Sequence, residues 1–235
     1  MKISTKTSAK KLYLLIVGAF ILISVLFVSC AKEIEVETYS YLSITNSSPT
    51  LGTYNIYLDG NQSNASGALA FGGMMAYGTL TSGEHTLKFT TESNTDALLT
   101  KTITMEDNGI YSAFLIDRAE NMDLLVVKDD LSTASTEKAF VRFINLSPDA
   151  PSLDLSVAEG EALISGKTYK SASSFQTIDP NTYTFNIKDQ STGLTIATVA
   201  NQELTAGRYY TIISKGMVTA GDTDQPFGAQ LIINL

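Results

Sequence analysis

The residue types that do most nucleophilic and metal chemistry are nearly missing from this chain, which has one histidine, His85, and one cysteine, Cys30. A hydrolase built on Ser, Thr or Cys needs a base beside the nucleophile. His85 is the one imidazole, and it alternates with Leu87 and Phe89 as a core-facing strand residue would. It reads as a half-buried aromatic whose polar tip reaches a sheet edge. Zinc sites need several His or Cys ligands, which the composition does not supply. Calcium takes Asp, Asn and carbonyl oxygens, so Asp59-Gly60-Asn61 and Gly221-Asp222-Thr223-Asp224 are its candidate loops. Neither has EF-hand spacing, and Asp-Gly-Asn already reads as a turn. Paired carboxylates for glycoside hydrolysis must face each other across a cleft. Glu159 and Glu161 flank Gly160 as at a hairpin tip, and Asp129 and Asp130 close a strand. AFGGMMAYG, residues 70–78, has glycines but no Lys-Ser/Thr, so it is no phosphate loop. It reads as a bulged edge segment with gap-filling methionines, or as an exposed apolar patch for a partner. The expectation is a chain with no catalytic residue, no metal and no cofactor.

One stretch mixes acids and prolines more pointedly: FVRFINLSPDAPSLDLSV, residues 140–157. Ser147, Pro148, Asp149 and Pro151 stand between two alternating segments, and Asp154 follows on the second. Asp149 and Asp154 could be acids or ligands. The other reading makes the step a corner, with Asp149 accepting a backbone hydrogen bond within the turn and Asp154 on the wet face of a strand. A second copy of the pattern decides between them. NSSPTLG at 46–52 keeps the Ser-Pro break and has no aspartate, so the shared feature is a rigid stop between strands.

That second copy belongs to a longer duplication. YGTLTSGEHTLKF (77–89) aligns with FQTIDPNTYTFNI (175–187), and GIYSAFLI (109–116) with GRYYTIIS (207–214), both at an offset of 98. ITNSSP (44–49) parallels INLSP (144–148) with a slip of one. The boundaries follow as 39–131 and 139–235, joined by the polar linker STASTEK. Tyr111 and Tyr209, each two residues after a glycine, are expected to be corner tyrosines bonding back to the chain.

Both segments read as β throughout. Leu153, Leu155 and Val157 alternate with Asp154 and Ser156, and Tyr183, Phe185 and Ile187 with Thr184 and Asn186. Period two places each apolar set on one face of a sheet that is wet on the other. Turn tetrads (LDGN, TSGE, EDNG, IDPN, TAGR) punctuate the chain at short intervals. About seven strands per segment and no amphipathic helix predict an all-β protein of two tandem β-sandwiches with Greek-key connections.

Residues 1–29 stand outside this scheme. Lys2, Lys6, Lys10 and Lys11 precede the apolar run 12–28, and Ser29-Cys30 follows it, the layout of a secretory signal. LFVSC resembles a bacterial lipobox, which implies lipidation of Cys30 and anchoring to a membrane; an uncleaved membrane anchor is the other reading. Glu33, Glu35 and Glu37 make residues 30–38 an acidic tether, and resemble the surface-export signals of Bacteroidetes-type lipoproteins. The expected location is the outer membrane, facing the cell surface, with a periplasm-facing orientation as the alternative. Without residues 1–29 the chain carries 12 basic and 24 acidic residues, net −12, which repels phosphate backbones and excludes nucleic acid as a partner.

VRFINLSPDAPSLDLSV, SASSFQTIDPNTYTFNI and LTAGRYYTIIS together resemble the domain-of-unknown-function family DUF4397. Ser147, Pro148, Asp149, Pro151, Gly207 and Tyr209 occupy its motif positions. The resemblance implies an Ig-like or transthyretin-like sandwich of extracellular bacterial lipoproteins, and no activity. The function expected is non-catalytic: a surface binding or structural module for protein–protein interaction or adhesion. The alternative is an accessory glycan- or nutrient-binding lipoprotein, and an unrecognised hydrolase comes third. The absence of Trp weighs against ring-stacking on sugars, though eleven tyrosines are available.

Overall fold

The computed structural model describes residues 37–133, 135–158 and 160–235. The segment expected to be a secretory signal, Cys30, most of the stretch expected to be an acidic tether, and Glu159 lie outside the described residues. Glu37–Leu235 form one compact unit, and it is all β apart from one turn of 3-10 helix, Ala119–Asn121, among the described residues. The N-terminal half holds β1 (Tyr39–Asn46), β2 (Tyr54–Leu58), β3 (Asn61–Gln62), β4 (Met74–Thr81), β5 (Gly83–Thr91), β6 (Leu99–Met105), β7 (Ile110–Ile116) and β8 (Asp123–Lys128). The C-terminal half holds β9 (Ala139–Asn145), β10 (Leu153–Val157), β11 (Ala162–Lys167), β12 (Gln176–Ile178), β13 (Asn181–Asp189), β14 (Thr195–Leu204), β15 (Tyr209–Lys215) and β16 (Gly228–Ile233). Each half thus has eight strands rather than seven.

Four sheets of four strands result, and one order appears twice. The N-terminal half has sheets β4-β1-β7-β8 and β3-β2-β5-β6. The C-terminal half has β12-β9-β15-β16 and β11-β10-β13-β14. In both, the first strand runs parallel to the seventh while the other pairings are antiparallel.

Alternation works as expected in the outer sheets. Leu87 and Phe89 of β5 are buried while Thr86 is exposed, and Leu153 and Leu155 of β10 are buried around a half-exposed Asp154. The inner sheets depart from it. Every residue of β9 is buried, and so are six of the seven in β7 and in β15. Their strands pack on both faces, which is what near-continuous apolar runs such as IYSAFLI and AFVRFIN signify. One face of β1 and β7 (Leu42, Ile44, Ala113, Leu115) closes the N-terminal core. One face of β9 and β15 (Val141, Phe143, Tyr210, Ile212) closes the C-terminal core. The opposite faces meet each other: Phe114 and Ile116 pack with Ile144, Leu146, Ile213 and Ile232 in a third buried cluster. Each such side chain contributes about 1.5–3 kcal/mol on burial, so the inter-half face is a core in its own right.

The halves also share their backbone fixings. Asn46 Oδ1 accepts the Ser48 N–H at 3.1 Å, and Asn145 Oδ1 accepts that of Ser147 at 3.1 Å. Ser48 Oγ then donates to the Asp117 carbonyl and Ser147 Oγ to that of Gly216, each at 2.7 Å. Tyr111 is a corner tyrosine, its hydroxyl accepting the Glu106 N–H at 3.1 Å. Its counterpart is Tyr210, which accepts from Thr205 N at 3.0 Å. Tyr209 instead donates to the Thr133 carbonyl in the linker. The offset at β7 and β15 is therefore 99, not 98. The left-handed turn residue is Asn108 (φ 57°) opposite Gly207 (φ 76°). Gly109 answers a different need, since a Cβ there would lie 2.4 Å from the Tyr111 ring.

Candidate functional site

The chemically densest place in the molecule lies between the halves. Arg142 projects from β9 away from its own core and is 2 % exposed. Its Nη2 donates to Asp129 Oδ1 at 2.5 Å and its Nε to Thr211 Oγ1 at 2.7 Å. Asp129, just past β8, also accepts at Oδ2 from Tyr77 of β4 at 2.6 Å and from Ser112 of β7 at 2.7 Å. Asn234 closes the ring, donating to the Tyr77 hydroxyl at 2.8 Å and accepting from Thr211 at 2.7 Å. Burial first, and then the Asp129 charge, push the Tyr77 hydroxyl up to about 12. A buried ion pair is stable only when its neighbours satisfy it; here both Asp129 oxygens and the Arg142 Nε and Nη2 are bonded, and the guanidinium lies over the Phe175 ring at 4.7 Å. The arrangement ties the two halves together through charge: it is a polar seam. Sequence reasoning missed it. The signal was an arginine inside FVRFIN, a charge where both neighbours on each side are apolar.

The expected chemical residues are likewise engaged. His85 is 8 % exposed, with Nδ1 2.7 Å from Asp59 Oδ2 and Nε2 2.7 Å from the Thr81 carbonyl. Both neighbours are acceptors, so the doubly protonated ring satisfies them best. Burial pushes His85 down, but the Asp59 carboxylate and the Thr81 carbonyl outweigh it and the net shift is upward. Tyr183, in the same slot of the other half, donates to the Asp179 carbonyl at 2.9 Å. Both candidate calcium loops have their key carboxylates taken. Asp59 Oδ1 accepts from Thr86 N at 2.8 Å. Asp224 receives the Arg118 guanidinium through two bonds of 2.8 and 2.6 Å, which holds its carboxyl down at about 2.

The SPDAP step is a corner with a longer reach than the sequence suggested. Asp149 accepts backbone N–H groups from Val218 and Thr219, both at 2.8 Å. These lie in the loop after β15, not within its own turn. Asp154 Oδ1 accepts from Gly166 N at 2.8 Å, tying β10 to the bulged β11. Pro148 and Pro151 frame the corner; the Pro151 carbonyl lies 3.4 Å from Asn145 Nδ2. The 217–227 loop then clasps the N-terminal half: Gln225 N donates to the Pro49 carbonyl at 2.9 Å, beside the Arg118–Asp224 pair. AFGGMMAYG serves the same junction. Phe71 lies under Lys215 at 3.8 Å, Gln230 donates to the Gly72 carbonyl at 3.0 Å, and Met75 packs into the N-terminal core.

Beside the seam, a pocket of about 190 Å³ is walled by Phe140, Phe175 and Tyr209, with Lys128 and Asp130 at its side. Tyr209 stacks on Phe140 at 4.3 Å and meets Phe175 edge-on at 4.9 Å. A family model described as "Domain of unknown function (DUF4397)" matches residues 40–156. That match supports the family. It covers the whole N-terminal half and then β9 and β10, so the DUF4397 segment crosses the linker and includes the Ser147–Pro151 corner. The C-terminal half beyond Ser156 lies outside the matched segment. No curated protein matches the chain. Among solved structures, one titled "Alpha-glucan recognition by family 41 carbohydrate-binding modules from streptococcal virulence factors" is 14 % identical over 80 % of this chain and 96 % of that one. Its TM-score of 0.25 is too low to carry any argument.

Proposed function

We propose that the chain is a non-catalytic cell-envelope lipoprotein, built of two tandem copies of the DUF4397 module and acting as a surface binding or structural unit. One observation carries the reading. The carboxylates of Asp59, Asp129, Asp149, Asp154 and Asp224 are all engaged by donors of the fold itself. These five carboxylates therefore hold the architecture together, and recognition falls to loops and edges. The lipobox-like LFVSC and the acidic residues behind it support anchoring through Cys30 to the outer membrane, facing the cell surface. Metabolic labelling with a fatty acid tests the anchor: Cys30→Ser abolishes labelling and leaves a longer precursor, and labelling that persists removes the lipoprotein reading. A screen of surface proteins against the anchored chain tests the binding role.

Glycan capture is the second reading, favoured by the aromatic-walled pocket at the junction. Phe140 and Tyr209 are buried and Phe175 half-buried, so the walls offer little flat surface for a sugar ring. A glycan array decides it. A specific hit lost in Phe175→Ala would put this reading first.

A further inference from the structure

The two halves share a strand order but do not fill their cores alike. In the C-terminal half, β11 runs six residues and places Ile164 opposite Leu155, inside the core. Its counterpart β3 stops after two residues, Asn61–Gln62. The groups of β2 that a longer strand would pair are met by the irregular segment 63–69: Asn64 accepts from Ile56 N at 2.8 Å and donates to the Tyr54 carbonyl at 2.9 Å, Ser63 N donates to the Ile56 carbonyl at 2.8 Å, and Leu69 bridges to Tyr54. Beyond Gln62 the edge of the N-terminal sandwich therefore carries no regular strand, only this segment with its single bridge at Leu69. Two core positions widen the gap. Ile44 of β1 stands where β9 has Phe143, and Leu87 of β5 where β13 has Phe185.

The result is a cavity of about 310 Å³ between β1, β2, β4 and β5. Leu42, Ile44, Leu58, Met75, Leu80 and Leu87 form its walls, with Ser63 and Ala76 near the surface. No charged side chain lines it. A bulge in the β1–β4 pairing, between Leu42 and Ile44, directs both Met75 and Gly78 to this side. Gly78 keeps the mouth open: a Cβ built there meets nothing within 4 Å. Open apolar pockets of this kind take apolar ligands.

We propose that this cavity is a binding site for a free, medium-chain aliphatic molecule. At ~30 Å³ for a water-sized group, the volume takes a chain of about eight to ten carbons. A polar head would remain outside at Gly78 and Ser63. The site stands independently of the anchor, since every wall lies within the compact unit 37–235, which contains all three buried clusters.

Fluorescence titration of residues 37–235 with 11-(dansylamino)undecanoic acid, followed by displacement with decanoic acid, tests it. Wild type gives a saturable signal that decanoic acid removes and maltoheptaose does not. Gly78→Leu fills the cavity and weakens binding at least tenfold, with a thermal midpoint within a few degrees of wild type. Leu87→Phe, which installs the residue of the other half, does the same by a second route. The proposal is overturned by a signal that does not saturate, or by both variants binding like wild type. Displacement only by phosphatidylcholine vesicles, with decanoic acid inert, would also overturn it.

Discussion

The N-terminal and C-terminal halves answer the same positions differently, and the differences sort by location. Positions that fix the chain path are kept: Asn46 and Asn145 cap a turn in one way, and Tyr111 and Tyr210 close the same corner. Positions that face the other half are divided between unlike residues. Ser43 answers Arg142, Ser112 answers Thr211, Asp129 answers Asn234, and Tyr77 answers Phe175. Backbone hydrogen bonding tolerates little variation because a buried unpaired group costs about 1–3 kcal/mol. Facing side chains need only be complementary, so they are free to diverge together.

The largest way to break this pairing is to remove its charge. Arg142→Met strands the Asp129 carboxylate in the seam and should cost about 3–5 kcal/mol, read from urea unfolding of the whole unit. A loss under 1 kcal/mol would mean that water enters and the seam is not closed. The same experiment should show one transition rather than two, because Phe114 and Ile116 of one half pack on Ile144 and Ile213 of the other. Next comes the corner. Gly109→Ala drives a methyl to within 2.4 Å of the Tyr111 ring and 2.8 Å of the Glu106 carbonyl, costing about 1–3 kcal/mol. Arg208→Ala, at the matching position, should stay within about 0.5 kcal/mol. Smaller again is the turn: Gly207→Ala forces φ 76° on a residue with a Cβ, costing about 1 kcal/mol. Asn108→Gly in the other half should be neutral or slightly stabilising.

The smallest effect separates His85 from Tyr183. His85 is raised above its ordinary 6.5, so its contribution is complete below that value and is lost as the pH rises through the folded pKa. Asp59 is lowered below 3.8, chiefly by its bond to His85, so its contribution is present above 3.8 and is lost as the pH falls through its folded value. The pair thus stabilises most between about 4 and 6.5. Stability measured from pH 4 to 8 should fall on the alkaline side in wild type and flatten in His85→Tyr. NMR titration of Asp59→Asn should show the imidazole moving down.

Much of the frame was legible in the residues. Alternation in His85-Leu87-Phe89 and Leu153-Leu155 located the outer sheets, and the Ser-Pro breaks located the corners. The offset at β15 slipped because Gly-Arg-Tyr-Tyr offers two tyrosines after one glycine, and only the hydrogen bond from Thr205 chooses Tyr210. The bond from Asp149 to Val218 and Thr219 spans about seventy residues, beyond any local pattern. The seam was hidden for a related reason. Its members come from β4, β7, β9, β15 and the ends after β8 and β16, and no spacing along the chain connects them.

The uneven sharing of that seam also decides which surfaces can meet when many copies are crowded together. Two N-terminal halves placed face to face would oppose Asp129 to Asp129 with no guanidinium between them. Two C-terminal halves would set Arg142 against Asn234, the counterpart of Asp129, with no carboxylate to pair it. Either arrangement leaves a buried charge without its partner, which costs about 3–5 kcal/mol. A chain opened by heat or tension therefore closes most stably on the unlike half, its own or a neighbour's. Pairing between identical faces is disfavoured by the division of one nearly buried salt bridge between the two halves.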